Sequence, residues 1–192
     1  EDLFQRTYPM DMRPQAHDII RTWLFSTVVR SHFEADSAPW ANCTLSGWVL
    51  DPDRKKMSKS KGNVVTPIGL LEEYGSDAVR YWAANGRPGT DTAFDDGQMK
   101  IGRKLAIKIL NASKFVLGFS GSDGAPLSID NNLINNPLDC SMLTSLSSLV
   151  KDTTDAFDNF DYARALEKTE SWFWDFTDNH LELVKVRAYE AE

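Results

Sequence analysis

The apolar positions in the first half of the chain change spacing, from every second residue to every third or fourth. Residues 7–13 alternate as in a short strand, whereas residues 17–33 have the spacing of an amphipathic helix. Residues 41–50 have the apolar content of a second strand, which the Asp-Pro-Asp cluster at 51–53 ends in a hairpin-like turn. The pattern predicts an α/β fold for this part of the chain.

Helical spacing continues after the turn. Thr66 and Pro67 begin a short helix that ends near Gly75, and Ser76 is predicted to cap another over residues 77–85.

The rest of the chain is predicted to be all-α. A longer helix is expected over residues 96–119, and a Gly/Ser/Asn/Pro-rich linker near 120–137 separates it from helices at 138–157 and 162–188. The aromatic residues of the last two helices imply a helix–helix core. The apolar stripe of the longer helix is Ile101, Leu105, Ile109, Ala112, Val116 and Phe119.

The net charge of −7 hides an uneven distribution along the chain. Residues 1–114 contain 16 Lys and Arg against 14 Asp and Glu, whereas residues 115–192 contain 5 against 14. Two acid-free stretches concentrate the basic residues, and local clusters set a local potential that the total charge does not report. The first cluster is Arg54, Lys55, Lys56, Lys59 and Lys61, and the second is Lys100, Arg103, Lys104, Lys108 and Lys114.

Several classes of protein are excluded by composition. No apolar run approaches the roughly 20 residues that cross a bilayer, and the N-terminus lacks the layout of a signal peptide. Cys43 and Cys140 are far apart and form no Cys-x-x-Cys pair, which argues against a disulfide framework or a zinc site. We therefore expect a cytoplasmic protein with no bound metal and no membrane partner.

The sharpest chemical signal is the string Lys56-Met57-Ser58-Lys59-Ser60, which Lys-Gly-Asn follows directly. Residues 56–63 are called the lysine loop below. Ammonium and hydroxyl groups on one loop suit a polyphosphate, because they can follow charge as it moves onto a leaving pyrophosphate. On residue chemistry alone, a solvated surface turn is the simpler explanation.

The literal string resembles the Lys-Met-Ser-Lys-Ser signature of class I aminoacyl-tRNA synthetases. In that family the signature lies on a loop after the second half of a Rossmann-like nucleotide-binding core. The resemblance implies that Lys59 is the main catalytic lysine, that Lys56 assists it at the ATP phosphates, and that Ser58 and Ser60 shape the loop. It also implies ATP, with Mg²⁺, as a substrate.

A second signal is the predicted strand-to-helix junction at residues 13–23, because ligands in open α/β sheets bind at the carboxyl ends of strands. By itself, Asp18 also fits a helix-dipole acid and Trp23 a core residue. The segment resembles the family's Gly-x-Asp element, which implies that Asp18 contacts the adenosine ribose. Asp-Ile-Ile followed by Trp23 resembles the valine-specific branch, where the tryptophan walls the amino-acid pocket. Ala16 stands where glycine is usual in the family, and its Cβ limits close approach of the backbone there.

Residues 89–95, 103–105 and 109–115 resemble that branch's junction between the catalytic core and the helical domain. This likeness suggests tRNA contacts for the basic helix, although a solvated face explains each position equally well. The candidate tRNA contacts are Lys100, Arg103, Lys104 and Lys108.

The resemblance implies that residues 1–96 are the second half of a class I catalytic core and that residues 97–192 are part of an anticodon-binding type helical domain. The family's His-x-Gly-His signature is absent, so we expect a piece of a longer enzyme that is inactive by itself. Its expected partners are the rest of that enzyme, valine, ATP and tRNA(Val), and the expected activity is ligation of valine to that tRNA. The alternatives are a sister synthetase for isoleucine, leucine or methionine, and a non-catalytic helical module that binds RNA.

Overall fold

The protein is described by a computed structural model that covers residues 2–119 and 134–190. Most of the predicted linker near 120–137 therefore lies outside the described residues. The helices are α1 (Asp2–Thr7), α2 (Phe25–Ala35), α3 (Pro67–Tyr74), α4 (Ser76–Ala84), α5 (Asp96–Leu117), α6 (Pro137–Asp158), α7 (Tyr162–Asp175) and α8 (Leu181–Glu190). The strands are β1 (Met10–Ala16), β2 (Trp40–Ser46), β3 (Val49–Leu50) and β4 (Thr92–Ala93).

Contacts group the chain into two compact units. The first comprises residues 1–66 and 86–95, and it contains the four strands with α1 and α2. The second comprises residues 67–85 and 96–192, and it contains α3 to α8. An α/β part and a helical part are thus both present.

Both strand pairs of the first unit are parallel. Met10 on β1 lies opposite Trp40 on β2, and Ala16 lies opposite Ser46. β3 pairs with β4 in the same sense. Parallel neighbours require a crossover connection, which α2 provides between β1 and β2. The parallel pairing and the helix between strands agree with the predicted α/β class.

The predicted boundaries of the first elements were wrong. The strand expected at 7–13 runs instead from Met10 to Ala16, because its last residues have pairing partners on β2. The single helix expected at 17–33 begins as a 3₁₀ turn at His17–Ile19 and a π-helical turn at Ile20–Leu24 before α2 starts. The segment that carries Asp18 and Trp23 is therefore not regular α-helix.

The strand predicted at 41–50 is divided into β2 and β3 at Gly47 and Trp48. A Cβ on Gly47 would collide with the carbonyl group of Thr90. Asp91 Oδ1 also accepts a hydrogen bond from the Trp48 N–H at 2.7 Å. The break follows from this close approach of the 90–91 backbone, which the local sequence does not signal.

Helix positions in the second half are largely confirmed. α3 begins at Pro67, and α5 spans most of the predicted 96–119 helix. Ser76 was wrongly assigned as a cap, since it is the first residue of α4. The N-cap residue is instead Gly75. Its φ is +85°, a value that glycine adopts without steric cost.

α4 and α5 pack closely along one face of α5. Met99, Gly102 and Leu105 are buried on α5, and a Cβ on Gly102 would lie 2.6 Å from the Cβ of Tyr81. The predicted apolar stripe is only partly buried, because Ile109 is 46% exposed. The buried face shares Leu105 with that stripe and otherwise runs through Met99 and Gly102, where the lack of a side chain on Gly102 lets Tyr81 of α4 approach.

The last helices pack against one another through aromatic and polar contacts. Trp172 on α7 donates a hydrogen bond from Nε1 to Ser145 Oγ on α6 at 2.9 Å, and its ring stacks on Phe176. The predicted helix at 162–188 is confirmed as α7 and α8, with a π-helical turn at Phe176–His180 between them. Among the described residues, no helix is long and apolar enough to cross a membrane.

Candidate active site

The strand that precedes the lysine loop, β3, is held on both sides. β3 pairs with β4, and the Phe94 N–H donates to the Leu50 carbonyl at 2.9 Å. Leu50 also forms an isolated antiparallel bridge with Lys56. This bridge is the structural counterpart of the predicted hairpin-like turn, and it fixes the first residue of the loop.

Asp51 organises the turn that precedes the loop. Its side chain is buried, with 6% of the residue exposed. Oδ1 accepts the Lys55 N–H at 2.7 Å, and Oδ2 accepts from the Asn63 amide at 2.8 Å. These bonds, first of all that from the Lys55 N–H, hold the pKa of the Asp51 carboxyl below its ordinary value of 3.8. Asp51 is therefore an anion that binds one donor just before the lysine loop and one at its last residue.

Asn63, the last residue of the lysine loop, connects Asp51 to the start of the loop. Its Nδ2 donates to Asp51 Oδ2 and lies 3.2 Å from the Lys56 carbonyl oxygen, which accepts a second bond. Its Oδ1 accepts the Ser58 N–H at 2.9 Å. One amide side chain thus closes the loop on itself around Met57.

The two serines shape the centre of the loop. Ser58 is the N-cap residue of a 3₁₀ turn at Lys59–Lys61, and its Oγ accepts the Lys61 N–H at 3.3 Å. The hydroxyl oxygens of Ser58 and Ser60 lie 2.9 Å apart, which is hydrogen-bond distance. Lys59, at the first position of this turn, is exposed to solvent. The loop therefore presents Lys59 from a capped turn.

Lys56 has a different environment. Its Nζ lies 3.3 Å from the centre of the Trp48 ring, a cation–π contact. His17 packs against the same ring in a T-shaped arrangement with centroids 4.3 Å apart, and His17 Nδ1 lies 2.9 Å from the Ser46 carbonyl oxygen. Trp48 thereby connects the lysine loop to the carboxyl end of β1.

Asp18 and Trp23 follow directly from that strand end. Asp18 is exposed on the 3₁₀ turn, next in sequence to His17. Trp23 is 40% exposed, lies parallel to Trp40 with centroids 6.3 Å apart, and has the Arg13 guanidinium 4.2 Å from its ring centre. The tryptophan is held on a π-helical turn with part of its surface open to solvent.

Two of the four predicted tRNA contacts form ion pairs within the second unit. Lys100 Nζ lies 2.5 Å from Asp96 Oδ2, and the bond to Asp96 raises the pKa of Lys100 above its ordinary value. Lys108 Nζ lies 2.8 Å from Asp178 Oδ1. An acidic residue that the sequence places 70 positions away therefore offsets the charge of Lys108.

The other two basic residues differ from this pair. Arg103 donates a hydrogen bond to the Glu73 carbonyl oxygen at 3.2 Å, so it contacts α3. Lys104 is exposed on α5. The predicted basic face is consequently less uniform than the sequence suggests.

Sequence reasoning missed three residues of this arrangement, namely Trp48, Asp51 and Asn63. Asp51 was assigned only to a turn, although Asp and Asn at the two ends of a loop commonly bind its backbone groups. The Asp and Asn at the two ends of this segment could therefore have been recognised in the sequence. No local sequence pattern indicates the Trp48 contact, because it depends on where the end of β1 places His17.

Across residues 2–119 and 134–190, no group of three or more His, Cys, Asp or Glu side chains is arranged to hold a metal ion.

Two family models match the chain in consecutive segments. The model described as "tRNA synthetases class I (I, L, M and V)" matches residues 1–95. The model described as "Anticodon-binding domain of tRNA ligase" matches residues 139–192. The chain belongs to the class I tRNA synthetases.

Curated members of the class I synthetases are similar over the whole chain. The Valine--tRNA ligase of Thermobifida fusca is 64% identical over 191 residues, which are 100% of this chain and 21% of that protein. The Valine--tRNA ligase of Salinispora tropica is also 64% identical, over 98% of this chain and 22% of that protein. The chain spans about one fifth of the length of these relatives.

Solved structures of class I synthetases share the fold. The LeuRS of Agrobacterium radiobacter K84, in a ternary complex with tRNA and LeuAMS, aligns with a TM-score of 0.75 at 22% identity, over 90% of this chain and 23% of that chain. Mycobacterium tuberculosis methionyl-tRNA synthetase, in complex with methionyl-adenylate, aligns with a TM-score of 0.73 at 25% identity, over 96% and 36% of the two chains. The helices and parallel strand pairs described above thus belong to a class I synthetase fold.

Proposed function

We propose that the protein containing these residues is a valine–tRNA ligase, which activates valine with ATP and transfers it to tRNA(Val). Valine--tRNA ligases that are 64% identical along the whole chain support this substrate. Because the chain spans about one fifth of those relatives, the activity is assigned to a protein of their full length that includes these residues. We also propose that this protein acts in the cytoplasm.

The observation that carries the proposal is the lysine loop, a capped and internally bonded turn that presents Lys59 to solvent. In the proposed reaction the valine carboxylate attacks the α-phosphorus of ATP, so that valyl-adenylate forms and pyrophosphate leaves. Lys59 and Lys56 would stabilise the charge that moves onto pyrophosphate, and Ser58 and Ser60 would hold the loop around the phosphates. ATP would enter with Mg²⁺ as the substrate.

The strand end beside the loop supports the remaining roles. Asp18 is exposed at the carboxyl end of β1, where it could accept both hydroxyls of the ATP ribose. Trp23 keeps 40% of its surface open and has contacts with Trp40 and Arg13. We propose that this open surface forms a wall of the valine pocket.

The domain organisation is proposed on the same grounds. Residues 1–96 would be the second half of the catalytic core, and residues 97–192 part of a helical domain of the anticodon-binding type. The matches to residues 1–95 and 139–192 support this division. Lys100, Arg103, Lys104 and Lys108 stay proposed tRNA contacts. Lys104 is the best supported, because it is exposed on α5, whereas Lys100 and Lys108 are held in ion pairs and Arg103 is bonded to Glu73.

The first test is valine-dependent ATP–pyrophosphate exchange by the full-length protein. We predict that Lys59→Ala lowers the rate of valyl-adenylate formation about 100- to 1,000-fold, as expected for loss of one preorganised charge at the leaving group. The dissociation constant for valine should be unchanged, since Lys59 is assigned to the phosphates. Single-turnover activation and equilibrium valine binding measure the two quantities.

Lys61→Ala is the matched control, because it removes a lysine of the same turn to which no catalytic role is assigned. An unchanged single-turnover rate in Lys59→Ala would refute the assignment. Exchange that depends on isoleucine, leucine or methionine instead of valine would identify a sister synthetase.

A further inference from the structure

The lysine loop contains a closed set of hydrogen bonds that none of the predicted catalytic roles uses. Asp51, outside the loop, binds the Lys55 N–H and the Asn63 amide through separate oxygens. Asn63 binds the Lys56 carbonyl and the Ser58 N–H. These bonds therefore hold the backbone at Lys56 and at Ser58, on the two sides of Met57.

The arrangement has a rigid base. Asp51 follows β3, which is paired with β4, and it is nearly fully buried. The Asp51 N–H also donates to the Lys55 carbonyl at 2.9 Å. The carboxylate is thus fixed by the sheet, and Asn63 transmits that position to the loop.

We propose that Asp51 and Asn63 are positioning residues for phosphate-charge stabilisation, setting the backbone from Lys56 to Ser58 so that Lys56 and Lys59 meet the ATP phosphates. This inference rests on the proposed function. Neither side chain needs to touch ATP, because each acts through main-chain groups of the loop. A small displacement of preorganised groups is costly, since misplacement by about 1 Å can reduce a rate about 100-fold.

The chemistry of the pair allows a reciprocal exchange. In Asn63→Asp, two carboxylates face each other and the donor to the Lys56 carbonyl is lost. In Asp51→Asn, the Asn63 amide loses its anionic acceptor. In the double variant Asp51→Asn/Asn63→Asp, residue 51 can still accept from Lys55 and donate to residue 63, which can still accept from Ser58. Only the bond to the Lys56 carbonyl cannot be restored.

The experiment compares the two single variants, the double variant and the unaltered full-length protein in ATP–pyrophosphate exchange. Each single variant should lower kcat about 10- to 100-fold, with KM for valine within about twofold. The double variant should recover most of the lost kcat, because coupled neighbours are strongly non-additive. Asp53→Asn is the matched control, since it removes the same charge from an exposed residue of the same turn.

Hydrogen exchange of the peptide that covers residues 50–64, measured by mass spectrometry on the same proteins, provides a readout independent of catalysis. The single variants should exchange faster in this peptide, and the double variant should regain protection. A purely structural role would instead raise KM for valine along with the fall in kcat, without recovery of kcat in the double variant, and this result would overturn the proposal. Unchanged kcat in both single variants would also overturn it.

The two levels of inference fail in different ways. Unaltered protein without valine-dependent exchange would refute the proposed function, and the hydrogen-exchange comparison would still decide whether Asp51 and Asn63 hold the loop. Valine-dependent exchange combined with equal loop protection in all variants would leave the function standing and refute the positioning role.

Discussion

Single buried polar residues decide the local geometry of the lysine loop. On folding, the Asp51 carboxylate replaces hydrogen bonds from water with hydrogen bonds from the Lys55 N–H and the Asn63 amide. Hydrogen bonds to a charged group are stronger than those between neutral groups. A residue of this kind contributes through the bonds of its ionised form. Its effect on the protein should therefore depend on pH in a defined direction.

The pKa of Asp51 lies below its ordinary value of 3.8 in the folded chain. A carboxyl whose pKa is lowered by folding stabilises the folded state fully above the unfolded pKa, and this contribution is lost as pH falls through the folded value. We predict that the free energy of unfolding of the native chain exceeds that of Asp51→Asn at neutral pH, and that the difference narrows below about pH 4. Urea denaturation between pH 3 and 7 measures both quantities.

Asp53→Asn serves as the control here as well, because Asp53 is exposed. If the difference in free energy of unfolding between the native chain and Asp51→Asn were constant across this pH range, ionisation of Asp51 would not be its cause.

The close packing of α4 against α5 depends on a glycine. Gly102 on α5 meets the base of Tyr81 on α4, and the Tyr81 hydroxyl donates to Glu170 Oε2 at 2.8 Å on α7. Desolvation first, and then that carboxylate, raise the pKa of the Tyr81 hydroxyl. Tyr81 therefore cannot move from Gly102 without disturbing its contact with a third helix.

We predict that Gly102→Ala destabilises the helical unit by about 1–3 kcal/mol, the usual cost of forcing an added carbon into a packed contact. Gly69→Ala on α3 is the matched control, because a Cβ there meets no atom within 4 Å. It should raise stability by about 0.5–1 kcal/mol through helix propensity alone. Denaturation followed by the helical circular-dichroism signal distinguishes the two, and equal effects would refute the packing argument.

Over the whole chain, acidic and basic residues are unevenly distributed. The first 114 residues hold a small excess of basic residues and the remainder a large excess of acidic ones. Folding brings some of these together, since Asp178 pairs with Lys108. Exposed and unpaired cations matter most for a polyanion such as tRNA.

For the full-length protein we predict that Lys104→Gln reduces the slope of log affinity for tRNA against log salt by about one, as expected for the loss of one phosphate contact. Lys108→Gln should change the slope less, because an acid already offsets its charge. Filter binding or anisotropy across a salt series measures both slopes. A larger change for Lys108→Gln would contradict the proposed contact.

The sequence alone determined most helix positions in the second half of the chain and the residue types that the lysine loop carries, because both depend on near neighbours. Pro67 and the apolar spacing of α5, α6 and α7 predict helices from local periodicity and capping, and the string from Lys56 to Ser60 carries its resemblance without any structure. The tertiary structure decided what depends on distant residues. The break at Gly47 arises from Thr90, the buried face of α5 from Tyr81, and the pairing of Lys108 from Asp178. Lys56 rests on Trp48 beside His17 because parallel pairing of β1 and β2 brings their carboxyl ends together, and a long-range contact of that kind leaves no periodic trace in the sequence.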